Sequence, residues 1–130
     1  MIVVDASVML DLLLRTDAAA AIERRLFEPR ELMACPHLLD VEVAQVLRRH
    51  ASARDLAEER GRQALEDLAA MPLARYPHEP LLQRVWQLRH NVTAYDAVYI
   101  ALAEMLEIPL VTRDLRLAAA SGHDASIEII

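Results

Sequence analysis

Apolar residues along the chain alternate between two rhythms. Short consecutive runs occur at Ile2-Val3-Val4, at Leu32-Met33-Ala34 (closed by Pro36), at Leu73 to Tyr76, at Leu110-Val111-Thr112 and at Ile127 to Ile130; their length suits buried strands. Between them the apolar residues recur at helical spacing. Ser7 to Leu14 places Val8, Leu12 and Leu13 on one face, and Asp17 is expected to cap a helix running to about Phe27, where Glu28-Pro29 breaks it. Leu39, Val43, Val46 and Leu47 repeat through Leu38 to His50, and a further helix is predicted over Ala53 to Ala70, stopped by Met71-Pro72. Pro77 to Pro80 reads as a turn, Leu81 to Leu88 as a helix, and Thr93 as the cap of a helix over Ala94 to Leu106. Asp114 starts a last helix to about Ala120, closed by Gly122. Strands alternating with helices predict an α/β protein with a mostly parallel sheet covered on both faces. There is no internal repeat, linker or low-complexity tract, so one domain is expected over 1–130.

Four acids interrupt this pattern. Ligands in open parallel sheets sit beyond the carboxyl ends of the strands. Asp5 follows Ile2-Val3-Val4, and Asp114 lies just past Leu110-Val111-Thr112. Glu42 lies beside the inward stripe of its helix, one turn from Leu38 and Val46; Asp96 has Val92, Tyr99 and Ile100 as helical neighbours. Each has a plain alternative: Asp5 as a turn or cap residue, Asp96 as a first-turn acid, Asp114 as an N-cap, and Asp40 as a rival to Glu42. Together they would repel one another and raise each other's pKa. A divalent cation relieves this, and an all-oxygen, carboxylate-rich site suits Mg²⁺ or Mn²⁺ rather than zinc. Such an ion acidifies a water and offsets charge in a phosphoryl transition state, which is chemistry for cutting phosphodiesters without a nucleophilic side chain.

Composition narrows the choices. With 55% hydrophobic residues the chain can bury a core unaided. A single cysteine, Cys35, excludes an intramolecular disulfide and a thiolate zinc cluster. The five His are scattered without metal-ligand spacing. No leader or membrane-spanning run is evident, and the cytoplasm is the expected compartment. The formal net charge of −6 argues against nucleic-acid binding by bulk electrostatics. All 14 basic residues are Arg. The absence of Lys excludes a phosphoacceptor receiver domain, whose pocket needs one. A dehalogenase-type phosphatase would want an acid two residues after the nucleophile, where this chain has Ser7. Trp86 and Leu82, at helical spacing, read as core or interface residues. The helices around Ala18 to Leu26 and Leu56 to Leu68 have mixed faces open to a partner or to core packing.

At the four acids the chain resembles PIN-domain ribonucleases, more narrowly the VapC-type toxins of type II toxin–antitoxin pairs. The segments carrying the resemblance are IVVDAS, LLDVEVAQVLRR, LRHNVTAYDAVYIALAE and PLVTRDLRLA, in the family's order and across nearly the whole chain. The resemblance implies a three-layer α/β/α sandwich and an Mg²⁺-dependent endoribonuclease using a metal-activated water. It implies metal ligation by Asp5 and Asp96, with Glu42 and Asp114 completing the shell, and hydroxyls near the metal from Ser7 and Thr112. Leu115-Arg116-Leu117 follows the TRD-type motif without the further polar or aromatic residue many relatives carry, which favours one firmly held ion. A VapB-like antitoxin and a homodimer are the implied partners, besides RNA. Phosphate contacts would come from Arg113 and Arg116; Arg48-Arg49 read equally as phosphate contacts or as a solvated helix end. An antitoxin presenting an Arg to the acidic site would inhibit by charge alone. The alternatives are a non-toxin PIN nuclease, including a DNA-directed one, and a silent PIN-like module that binds RNA or protein.

Overall fold

The computed structural model describes residues 1–130. Its elements in chain order are β1 (Ile2–Val4), α1 (Ala6–Leu13), α2 (Ala19–Phe27), β2 (Met33–Pro36), α3 (Leu38–Ser52), α4 (Glu58–Ala70), β3 (Leu73–Tyr76), α5 (Leu82–Gln87), α6 (Ala94–Leu106), β4 (Leu110–Thr112), α7 (Leu115–Ala118) and β5 (Ile127–Ile129). The five strands form one sheet in the order β3-β2-β1-β4-β5, and every pairing is parallel. Crossovers between parallel strands are right-handed. The chain therefore steps from β1 to β3 with α1 to α4 on one face, then reverses across β1 to β4 and β5 with α5 to α7 on the other. The packing agrees: α1 meets α2, α3 and α4, whereas α6 meets α5 and lies across β1, β2 and β4. This is the expected α/β/α sandwich.

Burial explains the ranking of the elements. The strands β1, β2 and β4 are buried throughout, whereas the edge strands β3 and β5 are partly open. From Ala97 to Ala103 every residue of α6 is buried, so this helix is covered all round and anchors a core of 29 residues. No helix is long and apolar enough to cross a membrane.

Several predicted boundaries move, each for a local reason. Asp17 does not cap α2: the helix begins from Ala18 in a helical backbone conformation, entered through a turn in which the Ala19 amide bonds the Thr16 carbonyl and Thr16 Oγ1 bonds Asp11 at 2.8 Å. The helix expected from Ala53 starts only at Glu58. Arg54 adopts a positive φ of 63°, and the Asp55 amide returns to the His50 carbonyl, which ends α3 and forces a turn. The strand predicted at Leu32 to Ala34 runs instead from Met33 to Pro36, paired with Leu73 to Tyr76. The last helix ends at Ala118 rather than Ala120. Thr93 and Asp114 are caps as expected.

Candidate active site

The strand order reverses between β1 and β4, and the crevice beyond their carboxyl ends is where open α/β sheets place ligands. Asp5 leaves β1 there and doubles as the N-cap of α1, its Oδ1 accepting from the Val8 amide at 3.1 Å. The cap reading and the site reading of Asp5 thus describe the same side chain. Asp5 and Thr112 are the only polar or charged residues in the buried set, at 6% and 0% exposure. They bond each other: the Thr112 hydroxyl donates to Asp5 Oδ2 and accepts from the Asp114 amide at 2.9 Å. The Ser7 hydroxyl donates to Oδ1 at 2.6 Å and accepts from the Arg113 amide at 3.0 Å. The carboxylate is thereby held between two hydroxyls that are themselves oriented by the amides following β4. Burial raises the Asp5 pKa above its ordinary value, opposed by these hydrogen bonds.

The other acids come from three further elements. Glu42 projects from α3, whose first amide, that of Leu38, donates to His78 Nε2 at 2.8 Å. Its Oε1 accepts from the Tyr99 hydroxyl at 2.6 Å. Burial, then the nearby Asp96 and Asp5 charges, raises its pKa, while the Tyr99 bond pulls it down. Burial and the Glu42 carboxylate push the Tyr99 hydroxyl pKa far up, so it remains a donor. Asp96 sits in the first turn of α6, its amide donating to Thr93 Oγ1 at 3.2 Å. Burial first, and the Asp114 charge second, raise its pKa. Asp114 caps α7 by accepting from the Arg116 amide at 2.9 Å, and pairs with Arg116 Nη2 at 3.1 Å. That guanidinium lowers its pKa. All four acids line one cavity of about 550 Å³, with Ser7 and Tyr99.

These are the positions at which relatives are informative. The chain matches the PIN domain over residues 2–122. It is 46% identical over 129 residues to the ribonuclease VapC1 of Mycobacterium tuberculosis, covering 98% of this chain and 96% of that one. The chain belongs to the PIN-domain family, among the VapC ribonucleases. Its fold is similar to that of PAE2754 from Pyrobaculum aerophilum, with a TM-score of 0.70, 25% identity, and 97% and 81% of the two chains covered. It is also similar in fold to a chain of a toxin–antitoxin complex from Klebsiella pneumoniae, with a TM-score of 0.62, 19% identity, and coverage of 88% and 87%.

Within this PIN domain the basic residues separate into bound and open ones. Arg113, expected on phosphate, turns away from the cavity: its Nε bonds Asp11 Oδ2 at 2.8 Å and its Nη1 bonds the Ile130 carbonyl at 2.8 Å. Arg116 lines the cavity while paired to Asp114. Of the adjacent pair, Arg49 lines the cavity and Arg48 does not. Asp40 is not an alternative to Glu42. It makes a two-point ion pair with Arg75, at 2.8 and 3.1 Å, beside Leu65 and Leu68 and away from the acids. Trp86 is not a core residue but 68% exposed, with Arg89 over its ring.

The donor set fits a hard divalent cation in chemistry and charge. It is all oxygen, and Asp5, Glu42 and Asp96 have no ion-pair partner. The four carboxylates line one cavity, although no three acidic, His or Cys side chains are already gathered as a ligand group. Tyr99 and His78 were not singled out from the sequence. A Tyr inside an apolar helix is the one signal that pointed to a partner for its hydroxyl.

Proposed function

We propose that this VapC-family chain is a metal-dependent endoribonuclease, the toxic component of a toxin–antitoxin pair, built as one nuclease unit over residues 1–130. The observation that carries the reading is the convergence of Asp5, Glu42, Asp96 and Asp114 on one cavity at the β1/β4 crevice. Asp5 and Asp96 would hold Mg²⁺, for which Mn²⁺ can substitute, with Glu42 and Asp114 completing its shell. Bound there, the cation supplies charge stabilisation for phosphoryl transfer and a more acidic water. The protein's own groups supply position. Ser7 and Thr112 fix Asp5 so that little conformational entropy is lost on ligation. Tyr99 aims Glu42, whose raised pKa suits a group that takes up a proton from the attacking water. Arg116 and Arg49 face the same cavity and offer guanidinium forks to the substrate phosphate.

A VapB-like antitoxin is the proposed partner, supported by the similarity to a chain of a toxin–antitoxin complex. An antitoxin Arg entering the acidic cavity would compete with both cation and RNA. A homodimer is supported by Leu82 and Tyr95, large apolar residues left exposed on a small apolar cavity with Leu38. The reading is tested by Asp5→Asn and Asp96→Asn in an RNA cleavage assay with and without EDTA. Both variants are expected to be inactive while folding normally, and the wild type to lose activity in EDTA. Full activity in both variants would refute the proposed site.

A further inference from the structure

Beside the acid cavity lies a second one of about 430 Å³, and the two share Asp96 and Arg116 as a common wall. Its remaining lining is Arg89, His90, Asn91, Val92 and Thr93, so only one of its residues is hydrophobic. Arg89 distinguishes it. Arg84, on the preceding helix, is committed to Glu104 through two bonds of 2.7 and 2.9 Å. Arg89 has no carboxylate partner. Its Nη1 bonds the Trp86 carbonyl at 2.9 Å, and its guanidinium lies 4.6 Å from the Trp86 ring centre. Those contacts fix the guanidinium in place yet use one of its five N–H donors. The result is a held, uncompensated cation on a protein of net charge −6. Thr93 Oγ1 accepts from the Asp96 amide, which leaves its own proton to donate. The 13-residue α6 opens at this wall, adding the positive end of its dipole.

We propose that this second cavity binds a backbone phosphate of the RNA next to the scissile one, with Arg89 as its anion-binding residue. The inference rests on the ribonuclease reading and extends it. The strand would cross the shared wall of Asp96 and Arg116, so that one phosphate lies over the acids and its neighbour on Arg89. Trp86 acts as the support of the Arg89 guanidinium. On this proposal an acidic protein with an acidic cavity holds a polyanion through local cations, one of them, Arg89, in the cavity beside the acids.

The test uses the full chain carrying Asp5→Asn, so that RNA is bound without being cut, and a short fluorescein-labelled single-stranded RNA that the wild type cuts. Adding Arg89→Ala is expected to weaken binding roughly tenfold, the loss of one charge-assisted contact, and to lower the slope of log affinity against log salt by about 0.7, the value for one phosphate on a single strand. In the Asp5-containing enzyme, Arg89→Ala should raise KM and leave kcat nearly unchanged. Arg89 is exposed and touches only Trp86, through one carbonyl and its ring, so the melting temperature should fall by no more than about 4 °C. Arg24→Ala, removing an equally unpaired Arg on α2, is the control and should leave affinity near wild type. Equal losses in the two variants would mean bulk charge and overturn the subsite. So would unchanged RNA binding in Arg89→Ala, including the case in which only antitoxin inhibition changes. Failure of the wild type to bind or cut RNA at all would instead refute the ribonuclease reading itself.

Discussion

Replacing Thr112 by Val separates the support of Asp5 from Asp5 itself. The two side chains have nearly the same shape, so the substitution removes a hydroxyl and inserts a methyl group into a fully buried position. Two interactions disappear. One is the hydrogen bond to Asp5 Oδ2, a charge-assisted bond when Asp5 is ionised, which contributes about 1.5–3 kcal/mol. The other is the acceptor of the Asp114 amide, a half-buried donor whose loss costs about 1 kcal/mol. The buried methyl returns roughly 0.8 kcal/mol. The net destabilisation is therefore about 2–3 kcal/mol. For 130 residues, with an unfolding entropy of about 2.1 cal/mol/K per residue, that corresponds to a fall in melting temperature of roughly 10 °C. Thermal unfolding followed by circular dichroism in EDTA measures it. Cation titration of the same variant should show weaker binding, because Asp5 loses a hydrogen bond that opposes its raised pKa and because its carboxylate gains freedom. A variant melting within about 1 °C of wild type would refute the energetic role assigned to this bond. Unchanged cation affinity would refute its role in preparing the ligand.

Other outcomes follow from the same geometry. The folded Asp5 carboxyl, its pKa raised mainly by burial, binds a proton over a pH range in which the unfolded chain has released it. In the metal-free protein its contribution to stability is fully present below the unfolded pKa and is lost as pH rises through the folded value. Asp5→Asn removes that loss, so in EDTA the variant should match or exceed wild-type stability at neutral pH and show a flatter pH profile in urea unfolding; a marked loss of stability would contradict the assignment. Tyr99→Phe deletes the donor to Glu42 from a buried position and should cost about 1–2 kcal/mol of stability. Its cleavage rate should fall roughly tenfold with RNA affinity unchanged, a split that steady-state kinetics resolves; a fall in affinity alone would place Tyr99 on the substrate side.

What the sequence made readable was whatever a single segment decides. The apolar runs of β1 and β4 announced central strands, and the acids just beyond them stood where parallel sheets place ligands. Thr93 and Asp114 capped their helices because a cap depends on residues within one turn. Asp17 misled because the turn before α2 is set by Thr16 and Asp11 rather than by the nearest side chain of the right type. The break at Arg54 was invisible, since a positive φ at a non-glycine residue leaves no compositional mark. Partner choice was equally hidden. Arg113 and Arg116 both lie within two residues of Asp114 in sequence, yet one is tied to Asp11 on α1 and the other faces the cavity. The Tyr99–Glu42 bond spans 57 positions, and only the fold brings the two residues to the wall of one cavity. Arg89 gained meaning only once α5 and α6 had placed it across a shared wall from the acids.

The bond between Thr112 and Asp5 joins residues 107 positions apart, across a strand pair that forms between the start of the chain and its last quarter. Contacts of such separation close late in folding, after local helices and neighbouring strands have formed. During synthesis the first strand leaves the ribosome long before β4 exists. A chain interrupted between residues 96 and 112 therefore carries Asp5, Glu42 and Asp96 but lacks the complete strand that clamps Asp5 and the loop that brings Asp114. Its acids have no common cavity. On the proposed site, the clamp on Asp5 and the placing of Asp114 thus wait on the synthesis of β4 and the loop after it.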